Sequence, residues 1–170
     1  MKKMMILVAA LLFTACVQAA QVSWTAINVM KDGVKMEKDT YISYFFNSAD
    51  ISLADAIESA KKGSLDISKA INSSTGKGAG VAGAGPTTVE KYVGGANETF
   101  YAIIYDSKDI TSGKFFTTAE KTVTIKGVGT TAVGFGSQAG AVWTDVVPEP
   151  TTFALLALGL VAFGLKRKVA

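Results

Sequence analysis

Apolar and polar positions alternate at the start of residues 22–30, with Val22, Trp24 and Ala26 set against Ser23 and Thr25. A period of two predicts a strand there. Lys31-Asp32-Gly33 follows, and Asp-Gly suits a tight hairpin turn because glycine takes positive φ without steric penalty. Residues 41–46 (Tyr-Ile-Ser-Tyr-Phe-Phe) are aromatic and β-branched and predict the second strand. The period then changes. Leu53, Ala56, Ile57 and Ala60 fall at i, i+3, i+4 and i+7, one apolar stripe of a helix over about 52–62. Ser52 is its expected N-cap, Asp55 stands three residues on, Lys61 and Lys62 close the last turn, and Gly63 is the stop. A second short helix over 65–71 is poorly patterned. Residues 72–88 are rich in Gly, Ala, Ser and Thr and read as a flexible low-complexity loop. Strands are expected again over 99–105, 114–118, 121–126, 131–135 and 140–147, the third alternating cleanly with Val123 and Ile125 inward.

The sum is a mainly β domain, either an antiparallel β-sandwich or a single curved sheet, with one inserted α-helix. Trp24, Phe45, Phe100 and Trp143 are expected in its core rather than on a ligand platform.

The two ends are patterned differently. Lys2 and Lys3 precede an apolar stretch over 4–13, and Val17-Gln18-Ala19 places small residues for a cut after Ala19. This is the order of a secretory signal peptide over 1–19, with a cut after Ala20 as the next choice. It implies signal peptidase and the Sec translocon as partners. Phe13-Thr14-Ala15-Cys16 comes near a lipoprotein signal, in which Cys16 would be acylated; otherwise that thiol leaves with the peptide. At the other end, an uncharged run over 151–165 is followed at once by Lys166-Arg167-Lys168. As a helix this run spans roughly 22 Å, short against the roughly 30 Å of a hydrocarbon core. Length alone favours a buried or interfacial helix. The absence of charge and the adjoining cations, which can snorkel to headgroups, favour a C-terminal transmembrane anchor with the rest of the chain outside the cytoplasm.

Pro148-Glu149-Pro150 lies just ahead of that run. Each proline fixes its own φ and biases the residue before it toward extended geometry, so Val147 and Glu149 are kept out of helix. This motif, the hydrophobic run and the basic cluster together resemble the PEP-CTERM sorting domain, over about 146–170. The resemblance implies an exosortase-like membrane enzyme as partner, cleavage near Pro148, Glu149 and Pro150, and passage of an exported body to the cell surface or extracellular matrix. It further implies an association with exopolysaccharide. Val169-Ala170 after the basic cluster depart slightly from the pattern. The chain thus divides into a signal peptide (1–19), an exported β-rich domain (20–145, with the flexible loop 72–88) and a sorting and anchor segment (146–170).

Trimming both ends changes the charge. Lys2, Lys3, Lys166, Arg167 and Lys168 all lie outside 20–150, leaving twelve basic against fourteen acidic residues, a net −2 in place of +3 for the whole chain. No basic stripe remains for a phosphate backbone, so nucleic acid is not an expected partner. Histidine is absent and Cys16 is the single cysteine. That excludes Ser-His-Asp catalysis, imidazole metal sites and disulfides within the exported body.

Several patterns invite chemistry and are outweighed. Gly78-Ala79-Gly80-Val81-Ala82-Gly83 matches G-x-G-x-x-G but lacks the preceding strand and following helix of a dinucleotide site, and reads as linker. Ser59–Lys62 and Ser74–Lys77 both match S-x-x-K without the supporting K-T-G. Asp106 and Asp109 share a loop without calcium-loop spacing. Asn72-Ser73-Ser74 and Asn97-Glu98-Thr99 are formal glycosylation sequons. No catalytic, metal or cofactor residue is therefore assigned. The expected function is a noncatalytic surface or matrix protein, briefly anchored in the inner membrane. The alternatives are a small-ligand or glycan-binding module stacking on exposed Tyr41, Tyr92 or Tyr101, and an enzyme of serine–lysine type.

Overall fold

The computed structural model describes residues 19–148. The predicted signal peptide, apart from Ala19, and the predicted C-terminal helix lie outside the described residues. Among those described, no helix is long and apolar enough to cross a membrane. The fold is mainly β: β1 (Ala20–Ile27), β2 (Met30–Lys31), β3 (Val34–Lys35), β4 (Ile42–Asn47), α1 (Leu53–Lys61), a 3-10 turn (Ile67–Lys69), β5 (Asn72–Thr75), β6 (Val81–Val89), β7 (Asn97–Tyr105), β8 (Lys114–Thr117), β9 (Lys121–Thr124), β10 (Thr130–Ser137) and β11 (Thr144–Asp145).

Two sheets face each other across one core. The smaller has the order β10-β1-β6; the larger runs β11-β8-β7-β4-β5, with β9 also pairing β7. Val22, Trp24, Ala26, Ala82, Ala84 and Val133 of the first sheet meet Phe45, Phe100, Ala102, Ile104 and Phe116 of the second. Trp24 stacks on Phe45 with centroids 5.7 Å apart and meets Phe100 edge-on at 6.2 Å. The larger sheet is covered on its other face too. Tyr44, Phe46, Tyr101, Ile103, Tyr105 and Phe115 pack there with Ala56 and Ala60 of α1. This is why β4 and β7 are bulky at nearly every position rather than alternating with polar residues: each is buried on both sides. The features of both anticipated architectures coexist, a two-sheet core and a helix across the larger sheet.

The helix forms as its sequence specifies. Ser52 caps it, its hydroxyl accepting the Asp55 N–H at 3.2 Å and donating to the Asp55 carboxylate at 2.7 Å. The Asp32-Gly33 turn also forms, with positive φ at both residues, but the ribbon it closes is a separate pair, β2 with β3.

Three expectations are corrected. Residues 72–88 are not a flexible loop: they hold β5 and most of β6. β5 belongs to the larger sheet and β6 to the smaller, so Gly76, Gly78 and Gly80 turn the chain from one sheet to the other. The smallness that resembled low complexity has a packing cause. Ala84 and Ala82 lie opposite Trp24 and Ala26 on β1, and the Trp24 indole fills the volume they leave. Second, the domain is not wholly antiparallel, because β1 pairs with β10 in parallel, Gln21 opposite Thr130 through Ile27 opposite Ser137. Third, of residues 140–147 only Thr144–Asp145 form a strand.

Polar groups are accommodated in detail where the sheet is interrupted. β8 and β9 are two segments that pair the same side of β7, and Thr118 bridges the gap: its Oγ1 accepts the Ala102 N–H at 2.9 Å while its N–H donates to the Ala102 carbonyl at 3.0 Å. Buried Asn47 donates to Tyr92 Oη at 2.9 Å and Glu98 Oε2 at 2.6 Å, and accepts the Ala49 N–H at 2.8 Å.

Gly76 and Gly78 separate steric need from simple turn composition. A Cβ on Gly76 would come within 2.3 Å of the Tyr41 ring, whereas one on Gly78 meets nothing within 4 Å. Gly76→Ala should destabilise the body by about 2 kcal/mol through overpacking, and Gly78→Ala by less than about 0.5 kcal/mol. Chemical denaturation of the two variants checks this, and equal midpoints would contradict the packing at Tyr41.

Candidate functional site

The feature that joins body to tail is built from three elements. β11 adds to the outer edge of β8, Thr144 opposite Phe115 and Asp145 opposite Lys114. The chain then crosses to the end of α1. The Val146 N–H donates to the Gly113 carbonyl at 2.9 Å, and the Val147 N–H to the Lys61 carbonyl at 2.7 Å. Val146 is 9% exposed and packs with the residues between α1 and the larger sheet. Packing therefore carries the body through Val146.

The Lys61 contact completes the helix. An α-helix leaves its last four carbonyls without intrahelical donors. Here Glu58 receives the Lys62 N–H at 3.3 Å, Ser59 the Ser64 N–H at 2.9 Å, Ala60 the Gly63 N–H at 3.0 Å, and Lys61 that of Val147. Gly63 turns away with φ +64°, and a Cβ there would lie 3.3 Å from Val146 Cγ1 and 3.5 Å from Pro148 Cγ. A groove of about 590 Å³ runs alongside, lined by Ile57 and Lys61 of α1, Phe115 and Thr117 of β8, and Val142 and Thr144.

Of the site residues expected from sequence, Pro148 is exposed at the end of the described chain. Glu149, Pro150, Lys166, Arg167 and Lys168 lie outside the described residues. Ala19, the residue before the expected cut, is half-buried, and Ala20 is 4% exposed, opposite Val89. The two expected processing positions are thus not brought together: one adjoins the smaller sheet and the other the end of α1. Sequence reasoning missed the anchoring of Val146 and Val147, whose only trace is an apolar pair between Asp145 and Pro148.

The tyrosines expected on the surface are a correction. Tyr41 and Tyr101 are fully buried and Tyr92 nearly so. Tyr41 Oη donates to the Gly78 carbonyl at 3.3 Å, Tyr101 Oη to the Ile51 carbonyl at 2.9 Å, and Tyr92 Oη accepts from Asn47. None is available for stacking on a sugar. Burial raises the Tyr41 phenol to about 12, against a smaller lowering influence of the Val81 backbone. Burial likewise raises Tyr92, Tyr101 and Tyr105.

The remaining candidates serve the fold. Asp106 accepts Lys31 Nζ at 2.6 Å and the Lys114 N–H at 2.7 Å, tying the β2–β3 ribbon to the β7–β8 loop. The side-chain bond to Asp106 raises the Lys31 ammonium. Asp109 accepts from Thr111 and Ser112, bonds that lower its carboxyl. Among the described residues no group of three or more His, Cys, Asp or Glu can hold a metal ion. Lys62 pairs with Glu58 at 3.1 Å. The G-x-G-x-x-G segment enters β6 with no helix after it. Asn72 donates to Thr87 Oγ1, and Asn97 accepts from Thr124 Oγ1 at 2.7 Å.

Residues 146–168 match the family model of the PEP-CTERM protein-sorting motif. No curated protein and no solved structure matches the chain.

Five buried phenols, those of Tyr41, Tyr44, Tyr92, Tyr101 and Tyr105, tie the stability of the body to alkaline pH. Their folded-state values lie above the unfolded value near 10, so the stabilisation they carry is complete below about pH 10. It is lost as pH climbs from 10 toward and beyond the value of about 12 reached by Tyr41. Tyrosinate absorbance should therefore rise together with loss of β-sheet circular dichroism. Smooth titration of these five phenols near pH 10 with the sheet intact would refute their burial.

Proposed function

We propose that this chain is an exported, noncatalytic surface or matrix protein whose body is held outside the cytoplasm by its tail and handed to an exosortase-type membrane enzyme. The observation that carries this reading is the match of the sorting motif to residues 146–168. The chain carries a C-terminal sorting signal, and such a signal implies export and membrane-anchored transit before release. The N-terminal pattern of Lys2, Lys3 and an apolar stretch ending at Ala19 supports passage through the Sec translocon.

The chemistry divides between the two parts. In the tail, the spacing of Pro148 and Pro150 in the sequence disfavours helix at the motif, which suits a protease cleft that reads its substrate as an extended strand. The uncharged run and the cations of Lys166, Arg167 and Lys168 fix depth and orientation in the bilayer. In the body, from residue 20 onward, the absence of histidine and cysteine supports a structural rather than a catalytic role. A body of net charge −1 facing outward is suited to a neutral or cation-bridged polysaccharide matrix more than to nucleic acid.

The reading is tested in the native host by following the fate of the last residues. Mass spectrometry of the surface fraction should find the wild-type body without Lys166–Ala170. Pro148→Ala and Glu149→Ala should each leave most of the chain full-length in the membrane fraction. A surface form that retains Lys166–Ala170, or unchanged processing of both variants, would exclude this role for the motif.

A further inference from the structure

The four residues ahead of the motif, Thr144 to Val147, form a strap across the body. Two of them pair with β8, Val146 is buried and bonded to Gly113, and Val147 is bonded to Lys61. No glycine or serine spacer intervenes: Val147 is fastened and Pro148 is the first proline of the motif. Pro148 has no N–H to continue the pattern, so the strap ends where the motif starts.

A protease that reads an extended peptide needs free backbone on both sides of the scissile bond. On the body side of this motif, that backbone is already committed to β8 and α1. We infer that the strap is an autoinhibitory clasp on tail processing, and that the enzyme engages only molecules in which Val146 and Val147 have lifted away. The inference rests on the sorting motif being a processing signal. Opening the strap uncovers Val146, the Lys61 carbonyl and the short edge of β8, and leaves the pairing of β1, β4, β6, β7 and β10 untouched. It is thus a local opening, of the kind that occurs far more often than global unfolding. The rate of processing then scales with the open fraction.

The clasp makes the fold itself a regulator of release. Changes within the strap alter the rate without touching the motif, and changes within the motif abolish processing without touching the strap.

The test follows conversion of the full-length precursor to the shortened form by pulse-chase in the native host. A short Gly/Ser insertion between Val147 and Pro148 gives the enzyme free backbone and leaves the strap in place. Val146→Gly weakens the strap itself. Lys114→Cys combined with Asp145→Cys joins residues directly opposite one another across the β8–β11 pair, in a body that has no other cysteine. The insertion and Val146→Gly should each raise the conversion rate about tenfold, in proportion to the gain in accessible molecules. The oxidised cysteine pair should slow conversion below wild type, and a reductant should restore it. Conversion of the insertion, the glycine variant and the oxidised pair at the wild-type rate would overturn the clasp. If no form converts, the insertion included, the processing signal itself fails and the clasp with it.

Discussion

The pairing of β4 with β7 is the constraint on which the rest of the body depends. Ile42 through Asn47 lie opposite Tyr105 through Phe100 in unbroken antiparallel register. Because side chains alternate across a strand, this one pairing commits Phe45, Phe100, Ala102 and Ile104 to one face and Tyr44, Phe46, Tyr101, Ile103 and Tyr105 to the other. A slip by one residue would exchange the two sets and strand Asn47, whose bonds to Tyr92, Glu98 and the Ala49 N–H exist only in the present register. The smaller sheet covers one face and α1 the other. A helix of nine residues is marginal in isolation, so α1 needs the apolar surface of the larger sheet.

Elements whose own residues carry the signal, as a periodic stripe with its cap or as an unbroken bulky run, were legible in the sequence. The stripe of Leu53, Ala56, Ile57 and Ala60 with Ser52 as cap, and the bulky run at 99–105, carry enough local information to be placed within a residue or two. What escaped was determined by neighbours distant in sequence. Ala82 and Ala84 are small because Trp24 fills the space beside them, and nothing near residue 82 announces an indole some sixty positions earlier. Tyr41, Tyr92 and Tyr101 resemble surface tyrosines until their hydroxyl partners at Gly78, Asn47 and Ile51 are known. The sorting motif was legible for the opposite reason, since its proline spacing and basic flank are properties of the chain alone. The strap ahead of it was not, because a Val-Val pair acquires meaning only from the Lys61 carbonyl it completes.

The two ends of the body are fastened by different physics. β1 starts at Ala20, immediately after the expected signal cut, and is the central strand of the smaller sheet. Its neighbours lie far along the chain, with Gln21 opposite Thr88 on one side and Thr130 on the other. Synthesis runs from residue 20 toward residue 148, so neither neighbour has been made when β1 emerges. β1 therefore stays unpaired until the rest of the body follows, and the closure entropy of bringing residue 21 to residue 130 falls late. At the C-terminus the order is reversed. β8 and α1 precede Thr144 to Val147 in the chain, so the strap has a finished surface to close on. A tail of identical sequence on an unstructured body would offer its motif without restraint. On this body, the helix end that needs a donor for its last carbonyl takes it from the residue beside the motif, and the stability of α1 becomes coupled to how long the tail stays attached.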